Sequence, residues 1–218
     1  MSLVIALAAS REAVIGADRR AIAFLGSCPR LEEELYSGQI ENDERLADRA
    51  RELGAYLQIC DGREKVWRRG ELLVGEVTEI SPKLCRRRRI YLTPGASLQV
   101  DITGGGDSIG EDAGGEGAGR ESVGGEARIR AWDGVGCTVF GNRFTQKLAS
   151  EEVARAGGRV SEALIRSILE KAGMQTASVS REHTVLRCDT KNPDARAALY
   201  RALEEDCQVS GWRLCAPQ

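Results

Sequence analysis

Apolar residues come first in short, dense runs. Leu3-Val4-Ile5-Ala6-Leu7 and Ala13-Val14-Ile15-Gly16-Ala17-Asp18 are almost continuously hydrophobic, with Ala9-Ser10-Arg11-Glu12 between them, which predicts two strands buried on both faces. Residues 21–25 predict a third short strand ended by Gly26. The period then lengthens. Leu31 and Leu35, with Ser27 as a candidate cap, Pro29 in the first turn and Ser37-Gly38 as a stop, predict a helix. Leu46, Ala47, Ala50 and Leu53 place a second helix over residues 42–53, stopped by Gly54.

From Ala55 to Val100 the period is two, with segments at 56–60, 65–68 and 71–80 and turn residues at Asp61-Gly62, predicting an antiparallel meander. Ile90-Tyr91-Leu92 and Ser97 to Ile102 flank the Thr93-Pro94-Gly95-Ala96 turn. Strands are expected again at 127–131 and 137–140, and helices at 143–156 and 161–172. A hairpin is expected from 175–180 and 184–188, then a helix from Pro193 to Asp206 and a closing strand at 211–215. Sequential strands interrupted by helix pairs fit two sheets between helical layers better than a doubly wound parallel sheet.

Composition changes this picture in one place. Ten of the 25 glycines lie between Gly104 and Gly125, and residues 104–126 carry six acidic side chains against Arg120 alone. Such a segment buries too little apolar surface to offset its ordering entropy, so it is expected to be a flexible Gly/acidic insertion in one domain spanning residues 1–218.

Charge and chemistry are mostly exclusions. With 31 basic and 33 acidic residues the net charge is −2, which excludes a general nucleic-acid coat. Arg86 to Arg89 lack interleaved aromatics other than Tyr91 and read as a solvated or acid-paired strand; no nucleic-acid partner is expected. The run Leu3 to Ala9 is far shorter than the ~20 residues of a membrane span, and no basic region precedes it, so a soluble cytoplasmic chain is expected. Seven cysteines without metal-ligand spacing argue against both a disulfide framework and a metal site, and no cofactor is expected. The single histidine, His183, reads as part of a polar turn between two strands.

Attention therefore falls on the N-terminus. An initiator methionine before serine is normally removed, and Ser2 would then carry a hydroxyl and a free α-amine with an ordinary pKa near 8, suited to act as base for its own hydroxyl. Ser2 leads directly into the first buried strand, and the second strand ends in Gly16-Ala17-Asp18-Arg19-Arg20-Ala21.

This arrangement resembles the proteasome β-subunit family of N-terminal-nucleophile (Ntn) hydrolases, with Asp18 and Arg20 matching that family's Asp-x-Arg and Gly16 replacing an alanine. A closer resemblance is to the connectases, archaeal proteasome relatives that act as peptide ligases. It is carried by residues 1–6, 13–20, 31–38, Arg87-Arg88-Arg89-Ile90-Tyr91 with Thr93-Pro94-Gly95-Ala96, and 138–145. The resemblance implies an α+β, four-layer αββα sandwich of two antiparallel sheets between helix pairs. It also implies a peptide ligase or transpeptidase that forms an acyl-ester on Ser2 and passes it to an amine. A purely hydrolytic enzyme and a non-catalytic binding scaffold are the alternatives. The implied partner is a peptide or protein substrate, with Lys-Asp-Pro-Gly-Ala as the family's motif, and the implied state is a monomer.

The site implied is Ser2 as nucleophile and Asp18 orienting a cation. Backbone N–H groups at Gly26-Ser27 would stabilise the oxyanion, and Ser178 and Ser180 would lie in support. The family's lysine has no match between Met1 and Lys65, which assigns its place to Arg20 or Arg30, groups that cannot surrender a proton. Serine stands where threonine is usual, and the chain ends near the end of a proteasome-like core, where connectases carry a further domain.

Overall fold

A computed structural model describes residues 3–81, 84–104 and 125–215, and for residues 79–81 and 84–85 the backbone alone. Strands β1 (Val4–Ala8) and β2 (Ala13–Asp18) form the centre of a four-stranded antiparallel sheet. They are flanked by β10 (Gly136–Phe140) and β11 (His183–Cys188) in the order β10-β1-β2-β11. The second sheet has the order β12-β9-β8-β7-β6-β5. Its strands are β5 (Val66–Arg69), β6 (Leu72–Ser81), β7 (Leu84–Thr93), β8 (Ala96–Thr103), β9 (Glu126–Asp133) and β12 (Arg213–Cys215).

Alternation along β1 and β2 explains why both strands read as wholly apolar. Val4, Ala6, Ala13, Ile15 and Ala17 pack against Val66, Leu73, Val77, Ile90 and Leu92 of the second sheet. Leu3, Ile5, Leu7 and Val14 face the other way, against α3 (Arg143–Arg155) and α4 (Glu162–Gln175), where Leu148, Ile165, Ile168 and Leu169 are buried. Each such side chain contributes roughly 1.5–3 kcal/mol on burial, and an Ile15→Ala change in the inter-sheet layer should cost about 2–5 kcal/mol. The outer face of the second sheet buries Val74, Tyr91, Leu98 and Val100 under Leu199, Ala202 and Leu203 of α5 (Ala195–Ser210). Helix, sheet, sheet, helix is the αββα order expected.

Gly16 sets the spacing between β2 and α4. A Cβ there would lie 2.7 Å from Ile165 and 2.9 Å from Leu169, so only glycine lets the helix rest so near the strand that ends in Asp18.

Several elements depart from the sequence reading. Residues 56–60 (β4, Tyr56–Cys60) do not join the meander but pair with β3 (Ala21–Leu25) in a separate two-stranded ribbon. The ribbon is covered by α1 (Pro29–Tyr36) and α2 (Asp43–Glu52) through Leu31, Leu35, Leu46 and Leu57. This helix pair therefore lies on the ribbon, and the second sheet is covered by α5. That sheet is not purely antiparallel, because β12 runs parallel to β9.

Cys28, not Ser27, is the N-cap of α1, and it makes no side-chain capping bond. Residues 176–180 form a buried turn instead of a hairpin strand; β11 pairs with β2, and His183 opens that strand opposite Asp18. Helix α4 continues past 172, through Gly173 to Gln175. A Cβ on Gly173 would meet the Ser180 carbonyl at 2.7 Å, so glycine there permits the turn to press on the helix. Helix α5 runs past Asp206 to Gly211, whose left-handed backbone (φ 66) ends it.

The insertion expected at 104–126 lies, over residues 105–124, outside the described residues; Thr103 and Glu126 at its borders are paired neighbours on β8 and β9. Among the described residues no helix is long and apolar enough to cross a membrane.

Candidate functional site

The end of β2 concentrates hydrogen bonds on one carboxylate. Asp18 is fully buried, and the β1–β2 pairing sets it beside Leu3, whose N–H donates to Oδ1 at 2.8 Å. Lys65 Nζ donates to the same oxygen at 2.8 Å and to the Arg20 carbonyl at 2.6 Å. Oδ2 accepts from the backbone N–H groups of Arg20 at 2.8 Å and Ser180 at 3.4 Å. Lys65 is 4 % exposed. Burial lowers its proton affinity below the ordinary lysine range, and the Asp18 charge opposes that shift.

A buried ion pair contributes little net stability over an apolar pair of the same shape, so its presence marks a candidate site.

The sequence-derived residues fall into three groups. Ser2 lies outside the described residues, one peptide bond before Leu3. Asp18 and Ser180 are brought together, while Ser178 lies in the same buried turn with partners of its own. Ser180 meets Asp18 through its N–H, while its hydroxyl donates to the Glu182 carbonyl at 2.6 Å and accepts from Arg19 N–H at 2.9 Å. Ser178 Oγ accepts from Asn142 Nδ2 at 2.9 Å and shares a 3.0 Å hydrogen bond with Thr176. Arg20, Arg30, Gly26 and Ser27 stand differently from the roles assigned to them.

The cation that meets Asp18 is Lys65. Arg20 turns its guanidinium away, to Asp61 (2.7 and 2.6 Å), Asp43 (2.5 and 3.0 Å) and the Ala177 carbonyl (2.8 Å). The hydrogen bond to Asp61, more than any other contact, holds its proton more tightly than usual and in turn pulls the Asp61 carboxyl down. Arg30 is a surface residue of α1, its side chain 70 % exposed and paired with Glu34. Lysine was missed because residues 21–60, the ribbon with its two helices, intervene before the chain returns to Asp18.

Gly26 and Ser27 are both exposed and lie at the far end of β3, roughly 16 Å from Ala21 at ~3.3 Å per residue, too far to serve a reaction beside Asp18. The strand-to-helix junction next to β1 is instead Gly141-Asn142, because Val4 pairs with Phe140. Asn142 is buried and caps α3 by accepting from Thr145 N–H at 2.8 Å.

A cavity of about 520 Å³ opens beside Arg20, with Glu41, Asp43, Glu44, Asp61 and Glu182 against Arg20 and Arg181 in its wall. Among the described residues no group of three or more His, Cys, Asp or Glu could hold a metal ion. Of the arginine run, Arg86 pairs with Asp101 at 2.9 Å; Arg89 is buried, paired with Glu76 and Asp206 and stacked on Trp67 and Trp212.

The architecture is an αββα sandwich whose first strand begins on a buried aspartate–lysine pair. The family model described as Connectase MJ0548-like, N-terminal domain, matches residues 1–119 and 120–208, and the chain belongs to this family. Among solved structures it is similar to eukaryotic HslV from Trypanosoma brucei at 9 % identity, over 86 % of this chain and 99 % of that one, with a TM-score of 0.46. No curated protein matches.

Proposed function

We propose that the chain is a connectase-like peptide ligase acting through Ser2. After removal of Met1, the α-amine takes the Ser2 hydroxyl proton as Oγ attacks a peptide carbonyl. The scissile C–N bond breaks, the proton passes to the departing amine, and an ester remains on Ser2. A second amine attacks that ester, re-forms a peptide bond and returns the proton to Oγ. The observation that carries this reading is the convergence of Leu3 N–H and Lys65 Nζ on one oxygen of Asp18, a single peptide bond from Ser2. A buried ammonium beside the nucleophile favours the free-amine form of the terminus and the alkoxide form of the hydroxyl.

Lys65 also supports the enzyme over the scaffold, since it is a cation able to give up its proton, which the arginines were not. The carboxylates in the wall of the Arg20 cavity suit a substrate segment with a basic side chain, which agrees with the lysine of Lys-Asp-Pro-Gly-Ala.

The test is a partition assay with the Met1-free protein, a peptide containing Lys-Asp-Pro-Gly-Ala and a graded amount of a second peptide amine. Ligated product that grows with the amine at the expense of the free acid supports the ligase. Free acid alone, whatever the amine concentration, makes it a hydrolase. No product, or equal product from Ser2→Ala, refutes the reading.

A further inference from the structure

We infer that Arg20 is a positioning residue that holds Lys65 against Asp18. Its kinetic consequence rests on the acyl-transfer reading above; its structural consequence does not. The side chain is 6 % exposed, and one guanidinium joins three segments. It grips both carboxylate oxygens of Asp61, four residues before Lys65; both oxygens of Asp43 in the first turn of α2; and the carbonyl of Ala177 in the turn that presents Ser178 and Ser180. The main chain of the same residue completes the pair it supports: its N–H donates to Asp18 Oδ2 and its carbonyl accepts from Lys65 Nζ.

Topology explains why such a clamp is needed. Residues 21–60 leave the body at Ala21 and return at Cys60, which are register partners, so Arg20 and Asp61 flank the neck. The loop that carries Lys65 starts at that neck. With the Arg20–Asp61 pair in place, the loop leaves the ribbon at a fixed point and Lys65 reaches Asp18 with its ammonium buried. An ammonium cannot do the same, because it lacks the planar five-donor fork that spans two carboxylates and a carbonyl.

A purely structural staple would change stability and leave Lys65 titrating as before. A positioning residue changes the titration. The charged groups acting on Lys65 are Asp18 from β2, and Asp61 and Arg63 from its own loop. Opening the clamp from either side, by Arg20→Met or Asp61→Asn, frees Lys65 from the burial that lowers its proton affinity; charge alone would separate the two, because Asp61→Asn also removes a carboxylate that favours the ammonium form.

The experiment is NMR of the full chain labelled at lysine Cε, with the Lys65 signal identified by its loss in Lys65→Arg. Arg20→Met and Asp61→Asn are each expected to raise the Lys65 midpoint toward the ordinary lysine value, by about one pH unit. Arg20→Lys, which keeps the charge without the fork, should raise it by less yet slow acylation of Ser2 about tenfold or more. If Arg20→Met does not fold, the rise in Asp61→Asn carries the test, and a fall there, the effect of charge alone, overturns the inference. Midpoints within about 0.2 unit of wild type in the folded variants overturn the inference. If the wild-type chain does not acylate at all, the acyl-transfer reading falls, while the titration still decides what Arg20 does.

Discussion

Replacing Lys65 by methionine keeps a long, unbranched stem of similar size, so almost no cavity is made, and removes only the ammonium. Stripping one partner from a buried ion pair costs about 3–5 kcal/mol, because an uncompensated charge is left behind. Here that charge is the Asp18 carboxylate, which keeps three backbone donors, from Leu3, Arg20 and Ser180. Those bonds put the cost at the lower end, about 3 kcal/mol, or a fall in melting temperature of roughly 6–12 °C for a chain of this size. The opposite deletion, Asp18→Asn, should cost less, about 1–3 kcal/mol. Lys65 can then shed a proton it already holds weakly through burial, and the amide oxygen still accepts one hydrogen bond. Differential scanning calorimetry of the two variants at pH 7 checks both the size and the order. A Lys65→Met melting point within about 2 °C of wild type, or an Asp18→Asn variant that is the less stable of the two, would refute the account of the pair.

Lys65 also predicts a pH slope. Its folded-state affinity is depressed, so the unfolded chain binds more protons between the folded value and the ordinary 10.4, and stability should rise with pH across that window. Lys65→Met should lack that contribution in calorimetry. Glu34, whose carboxyl is pulled down to about 2 chiefly by its hydrogen bond to Arg49, predicts a slope of the same sign in a separate window at low pH. Its contribution is present above about 4.3 and lost as pH falls through about 2, and an acid titration of the α1–α2 packing followed by circular dichroism should flatten in Glu34→Gln. Gly16→Ala places a methyl against Ile165 and Leu169, and denaturant unfolding should report a loss of about 1–3 kcal/mol with the fold retained.

The buried strands, the amphipathic helices and the Asp18 end of β2 were legible because each leaves a local trace: continuous apolarity, a 3.6-residue period, or a charge closing an apolar run. The partners of those elements left none. Leu57 and Ile59 alternate correctly for a strand, but nothing in residues 56–60 says that they pair with residues 21–25 and not with the meander that follows. Residues 176–180 look like a strand because small apolar and hydroxyl side chains alternate along them, and they fold as a turn because Gly173 lets them lie on α4. The site was misread for the same reason. Lys65 is 47 positions from Asp18, whereas Arg20 and Arg30 are near in sequence; proximity along the chain was the available measure, and the inserted ribbon and helices defeat it. The arginines had partners of their own: Glu34 lies one helical turn from Arg30, a spacing the sequence does show, whereas Asp43 and Asp61 meet Arg20 only through the fold.

The central claim is that Ser2 becomes an acylated nucleophile beside Asp18 and Lys65. Its most direct test is the intact mass of the protein before and after brief incubation with the Lys-Asp-Pro-Gly-Ala peptide and acid quench. The account predicts loss of Met1 in the starting mass, then a mass increase equal to the acyl fragment that peptide mapping assigns to Ser2 and that Ser2→Ala lacks. A retained Met1, or an unchanged mass after incubation, would contradict it.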